Sequence, residues 1–193
     1  MPAIGDGGVY PIFLKLEGRR VLVVGAGSVA ERKIAALVSA KARVDVVAPK
    51  ATEAVRRLAS EGAVDWRARS FDEGDVEGAW LVVAATGDGG VQRRVAEAAS
   101  ARQTFVIAVD DVAHATAYSG AIVARPPFTV AISSSGETPA LTRLVREIIE
   151  DVLPPDDWVE RAKAIRARWI AAGTPPGDRF GQLVSELAAR SRV

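Results

Sequence analysis

The sequence predicts an α/β fold built on a parallel sheet, and three observations predict it. The apolar run Arg20-Val21-Leu22-Val23-Val24 enters the turn Gly25-Ala26-Gly27-Ser28-Val29-Ala30, after which Ala30, Ile34, Leu37 and Val38 recur at helical spacing. A second apolar run, Trp80-Leu81-Val82-Val83-Ala84-Ala85-Thr86, stays apolar almost to its end, the mark of a parallel strand buried on both faces. Between Arg20 and Asp110, strand-like and helix-like stretches alternate, which is the order of βαβ units.

The glycine turn is the first candidate site. Gly25 would permit the tight bend, Gly27 would let the backbone approach a pyrophosphate, and Ala30 would allow close helix-strand packing. The helix N-terminus that follows offers unpaired N–H donors to an anion. Short glycine turns also serve as plain connectors, but the strand before this one and the helix after it favour dinucleotide binding.

Composition narrows the classes. The 193 residues suffice for one ordinary domain and a smaller module, and a hydrophobic content of 49% supports a core. Twenty-five basic residues against 24 acidic ones leave a net charge of +1, so no global field marks the chain for nucleic acid or a membrane surface. The absence of cysteine removes disulfides and thiolate metal sites and fits a reducing compartment. Met1 to Tyr10 lacks the basic-then-apolar pattern of a signal peptide. No apolar run approaches the ~20 residues that span a bilayer. A cytoplasmic protein is the expectation.

In chain order, Tyr10-Pro11-Ile12-Phe13-Leu14-Lys15-Leu16 reads as a short lead-in strand or a packed arm. Ala42 to Ala48 reads as the second strand, stopped by Pro49 and followed by a helix from about Thr52. Dinucleotide sites of the usual NAD type place a carboxylate at the end of this strand for the ribose 2′-OH, whereas this chain has Ala48-Pro49-Lys50. Asp45 lies too early and reads as part of one face of an edge-facing strand. Lys50 opens an NADP reading against its bland one as a solvated cation, and NAD is placed first. Val64 to Arg69 alternates as a third, half-buried strand, Trp80 to Thr86 is the fourth, and Phe105 to Asp110 the fifth. Ligands of such sheets bind beyond the carboxyl ends of the strands, so Ala85, Thr86, Asp88, Asp110 and Asp111 are expected beside the glycine turn. For Asp88 a helix cap is at least an equal reading.

After Asp111 the alternation stops. Tyr118 to Arg125 and Phe128 to Ser133 read as two strands joined at Pro126-Pro127, and Ser133-Ser134-Ser135-Gly136-Glu137-Thr138-Pro139 leads into a helix. Thr138 fits its N-cap, Pro139 its first position, and Leu141, Leu144, Val145, Ile148, Ile149 and Val152 form one apolar stripe ended by Pro154-Pro155. Asp156 or Asp157 starts a helix ending at Gly173, and Phe180, Leu183, Val184 and Leu187 pattern a last one. So much apolar stripe implies a homodimer packed through the hairpin and helices. The expected division is residues 1–112 for the cofactor domain, 113–153 for dimerisation and substrate, and 154–193 for a helical module.

These residues carry a resemblance. Tyr10-Pro11-Ile12-Phe13, the string from Val24 to Lys33 with Gly27-Ser28-Val29-Ala30-Glu31-Arg32-Lys33, Ala84-Ala85-Thr86, Val109-Asp110 and the serine loop through Leu141 stand in the order found in the precorrin-2 dehydrogenase and sirohydrochlorin ferrochelatase family. The chain resembles that family, which includes the N-terminal part of siroheme synthases, over about residues 10–155. Ile107 and Gly87 depart from its usual pattern.

The resemblance implies a Rossmann-type parallel sheet, then a small α+β dimerisation module and a helical C-terminal tail. It implies NAD-dependent oxidation of precorrin-2, a reduced tetrapyrrole edged with carboxylates, to sirohydrochlorin for sirohaem or cobalamin. Some members also insert Fe2+ into the product. By position it makes Asp110 catalytic and makes Ser28, Val29, Pro49 and Lys50 cofactor contacts, beside Gly25 and Gly27 of the turn and Ala85 and Thr86 at the sheet edge. A carboxylate near the cofactor suits acceptance of the proton that leaves as hydride departs. The bland reading of Asp110 is an acidic turn residue. Ser134, Thr138, Arg143 and Arg146 are the candidate donors to substrate carboxylates, although an arginine on an exposed helix face is more often only solvated. His114 is the lone histidine, incidental or titrating near neutral pH, and no cluster predicts a resident metal site. Uroporphyrinogen methylation is expected on another polypeptide. The competing reading is an NAD(H)-sensing regulatory domain without catalysis.

Overall fold

A computed structural model describes residues 9–135, 137–153 and 157–188. The leader reading over residues 1–8, Gly136 of the serine loop, the Pro154-Pro155 stop and the Asp156 cap lie outside the described residues.

The described chain divides into two compact units between Ser119 and Gly120. The first contains β1 (Arg20–Val24), α1 (Ser28–Ser39), β2 (Arg43–Val47), α2 (Glu53–Ser60), β3 (Val64–Arg67), β4 (Leu81–Ala84), α3 (Gly89–Ala101) and β5 (Phe105–Ala108). All strand pairs in it are parallel, in the order β3-β2-β1-β4-β5. This is the half-sheet expected from the alternation, and its order reverses direction between β1 and β4. Val21, Leu22, Val23, Val82 and Val83 are almost wholly inaccessible, as strands covered by helices on both faces require. One side packs with Ala30, Ile34 and Leu37 of α1. The other packs with Val95, Ala96, Ala98 and Ala99 of α3.

Three expectations are corrected here. Tyr10 to Leu14 forms no strand: these side chains are largely exposed, and only Leu16 reaches the core. β2 is an interior strand, and Asp45 on it is buried because it pairs with Arg20 at 2.8 Å and meets Arg67 at 3.4 Å. Residues 113–119 stay with the first unit, because the Thr116 and Ala117 N–H groups bond to the Val106 carbonyl and the Val106 N–H to Thr116 Oγ1.

A buried acid braces the far side of the sheet. Asp75, in a 3-10 turn after β3, takes two hydrogen bonds from Arg69 at 2.8 and 2.5 Å and one from the Asp72 N–H at 2.9 Å. The Arg69 bonds hold its carboxyl below the ordinary carboxylate range, against the burial that pushes the other way. A depressed folded pKa stabilises the fold above the unfolded carboxyl value of ~4, and that contribution is lost as pH falls through the folded pKa. Urea midpoints should therefore decline below about pH 4, and Asp75→Asn should flatten that decline. An unchanged acid limb in the variant would remove Asp75 from this role.

The second unit holds an antiparallel hairpin, β6 (Ala121–Arg125) and β7 (Phe128–Ile132), with α4 (Pro139–Val152), α5 (Asp157–Ala172) and α6 (Pro176–Ala188). α4 packs on β6 and β7. Arg125 ties the hairpin to the end of α4 through the Leu153 carbonyl at 2.7 Å and the Glu150 carbonyl at 3.0 Å. Thr138 stands at the N-cap position of α4 without capping through its side chain; Ser134 Oγ accepts from the Thr138 N–H at 3.3 Å instead. Leu141, Leu144, Ile148 and Val152 are all more than half exposed while Val145 and Ile149 are half-buried, so the outer part of the α4 stripe is left uncovered among the described residues. No described helix is long and apolar enough to cross a membrane.

Candidate cofactor-binding cleft

Strand order decides where a ligand can enter. Helices leave β1 and β4 on opposite sides, so a crevice opens beyond their carboxyl ends. Its floor is set by Gly25. That residue has φ +109°, its N–H bonds to the Val47 carbonyl at 3.0 Å, and a Cβ added to it would lie 2.2 Å from the Ala85 carbonyl oxygen. Only glycine allows β1 to turn this close to the end of β4.

Above that floor lies an open cleft of about 480 Å³ lined by Gly27, Ser28, Val29, Ala85, Thr86, Gly87, Gly89, Gln92, Val109, Asp110 and Asp111. Its size suits a bound small molecule. One wall is the first turn of α1, and its N-cap, Gly27, has extended backbone and no side-chain cap. The N–H groups of that turn are thus left for an anion. At α3 the Asp88 carboxylate accepts from the Gly90 and Val91 N–H groups at 2.8 and 3.1 Å, so Asp88 is used as a helix cap. A Cβ on Gly27 would meet nothing within 4 Å, which keeps its approach open for a ligand. The residues present fit a dinucleotide pyrophosphate.

The opposite wall carries the acids. Asp110 follows β5 with φ +58°, a left-handed backbone that costs an aspartate less than most residues. Its carboxylate makes no hydrogen bond or ion pair among the described residues, whereas Asp111 is paired with His114 Nδ1 at 2.8 Å. Lys33, one face of α1 away, donates to Ser119 Oγ and feels the Asp110 charge. Burial, with Arg32 beside it, lowers the Lys33 ammonium pKa, and Asp110 pulls in the opposite direction.

Of the residues picked from sequence, the structure brings Gly27, Ser28, Val29, Ala85, Thr86 and Asp110 into one cleft. Gly25 lies beneath it, and Pro49 and Lys50 are exposed just past β2, outside its lining. Ser134, Thr138, Arg143 and Arg146 belong to the second unit. There Ser134 Oγ also accepts from Thr142 Oγ1 at 2.7 Å, and Arg143 and Arg146 pair with Glu147 and Glu150 of their own helix at 3.0 and 2.6 Å. Sequence reasoning missed Gln92, although its place at i with Val95, Ala96 and Ala99 on a buried helix face was readable.

Comparison with known proteins agrees with this geometry. Residues 12–121 match a family described as putative NAD(P)-binding. Siroheme synthase 1 of Cronobacter sakazakii is 49% identical over 144 residues, covering 75% of this chain and 31% of that protein. Siroheme synthase of Actinobacillus pleuropneumoniae is 41% identical over 162 residues, covering 84% of this chain and 33% of that protein. The chain thus spans about a third of the length of these relatives. The structure of SirC, a precorrin-2 dehydrogenase, superimposes with a TM-score of 0.76 over 92% of this chain and 88% of that one, at 22% identity, and shares the fold. With more than half of its length matched, and a glycine turn, an uncapped helix start and a cleft at the sheet's switch point, the chain belongs to the NAD(P)-binding family.

Proposed function

We propose that this protein oxidises precorrin-2 to sirohydrochlorin with NAD as hydride acceptor. The observation that carries the reading is Asp110, a carboxylate unpaired among the described residues, on the wall of the cleft that the uncapped α1 turn also lines. The siroheme synthase relatives and the fold shared with a precorrin-2 dehydrogenase support it.

Bound NAD supplies a two-electron acceptor. The first-turn N–H groups of α1, with Gly27, Ser28 and Val29, hold the pyrophosphate, and Gly25 keeps the floor low beneath it. Ala85 and Thr86 border the nicotinamide side, and Pro49 and Lys50 take the adenosine end. Asp45 is unable to serve the ribose, since Arg20 and Arg67 already engage it. As the macrocycle loses a hydride and a proton, Asp110 accepts the proton and, being exposed, passes it to water. Ser134, Thr138, Arg143 and Arg146 supply hydroxyl and guanidinium donors for the substrate's carboxylates.

Purified protein given NAD and precorrin-2 should produce NADH absorbance and the sirohydrochlorin spectrum together. Dinucleotide binding with neither product would replace this reading with a sensing role. A parallel arm with NADP sets the cofactor preference. Sirohydrochlorin with ferrous iron, compared with the spontaneous rate, measures iron insertion.

The same reading assigns the uncovered α4 stripe to a second copy of this chain. Sedimentation should show a dimer, and Leu144→Glu with Ile148→Glu should yield monomers; a monomeric parent protein would overturn the assignment.

A further inference from the structure

We propose that Gln92 is a positioning residue for Asp110, clamping the backbone just before it so that the carboxylate stays on the cleft wall. Gln92 sits in the first turns of α3, is only 5% exposed, and lines the same cleft as Asp110. Its Nε2 donates to the Val109 carbonyl at 2.5 Å. That carbonyl accepts and never donates, so the amide NH2 must face it and the side-chain oxygen must face away. Among the described residues this oxygen, Oε1, is buried with no hydrogen-bond partner.

The arrangement is unfavourable for folding taken alone. Val95, Ala96 and Ala99 continue the buried face that Gln92 begins, and a leucine there would extend the apolar stripe and remove the unpartnered Oε1, at the cost of the donor to the Val109 carbonyl. What the amide does that leucine does not is fix the Val109 carbonyl. The next residue is Asp110, in the left-handed region at φ +58°. A backbone in that region persists when its surroundings over-determine it. Gln92 from the side, and the Val109 N–H bonded to the Ala84 carbonyl at 2.9 Å, provide two such constraints on the residue before it.

The inference rests on the reading of Asp110 as proton acceptor, and its test separates the two. Gln92→Leu exchanges one unpaired oxygen for another, so it should melt close to the parent temperature and keep its KM for NAD within about twofold, while kcat falls at least tenfold, a loss of ~1.4 kcal/mol in barrier terms. Amide hydrogen exchange at residues 109–111 should rise, with the rest of β5 and α3 unchanged. Gln92→Glu adds a signature that a packing role would not produce. Protonated, it donates to the Val109 carbonyl and restores turnover; ionised, it sets a carboxylate against that carbonyl, so its activity relative to the parent should fall as pH rises. Unchanged exchange at residues 109–111 in Gln92→Leu, or a kcat loss that only tracks a lower melting temperature, would overturn the proposal. Exchange is read without substrate, so an inactive parent protein would defeat the dehydrogenase reading and still leave this one decided.

Discussion

A Gly25→Ala chain should fail to accumulate in folded form, losing more than ~4 kcal/mol of stability. Two independent effects add at this position. Its φ of +109° is outside what an L side chain readily adopts, and the new methyl would sit 2.2 Å from the Ala85 oxygen and 2.7 Å from the Ala85 carbonyl carbon. The obstacle is backbone, held in register by the Ala85 N–H bond to the Val24 carbonyl at 2.8 Å, so no rotamer change relieves it. Relief requires parting β1, the central strand of the sheet, from its neighbour β4. Soluble yield and urea midpoint check this, and a midpoint near that of the parent protein would show that the turn tolerates a side chain.

Gly27 is the control two residues away. It has φ −81° and open space where a methyl would project, so Gly27→Ala should fold normally. The methyl would instead meet the ligand, and dinucleotide affinity should fall by about tenfold or more, ~1.4 kcal/mol. One glycine thus serves the fold and the other the approach of the ligand, a division that the spacing alone does not disclose.

How much of this was legible in the sequence follows from the range over which each signal acts. The strand-turn-helix around Gly25, the apolar run ending at Thr86 and the serine-led α4 are local patterns, and each forms the expected element, with β4 shortened to Leu81–Ala84. The chemistry of Asp45 depends on Arg20, which is 25 residues away and meets it only once β1 and β2 pair. Trp80 reads as the start of a strand, yet it lies outside β4 and more than half exposed, with the Arg19 guanidinium 3.9 Å above its ring. Tyr10 to Leu14 alternate like a strand but pair with none of the described strands. Gln92 was hidden for another reason. Its spacing with Val95, Ala96 and Ala99 marks the buried face, but a glutamine there is ordinary until its carbonyl partner is known, and the Val109 carbonyl is a tertiary fact.

Asp110→Asn should retain the fold and dinucleotide binding while kcat for precorrin-2 oxidation falls by ~10²–10⁴, the range for losing a positioned proton acceptor. Asparagine is the informative replacement because it tolerates the left-handed backbone at φ +58° and keeps the side chain's shape. Alanine would add backbone strain at the same site and blur the comparison. The neighbour provides the contrast: Asp111 is held by His114 at 2.8 Å, so Asp111→Asn should disturb the turn after β5 more than the chemistry. A titration of dinucleotide affinity beside single-turnover oxidation separates the two outcomes. Loss of binding in step with turnover would make Asp110 a cofactor contact, and turnover equal to the parent protein would return it to an acidic turn residue. A selective loss of turnover leaves proton transfer as its role, because among the described residues no hydrogen bond or ion pair holds its carboxylate that the substitution would break.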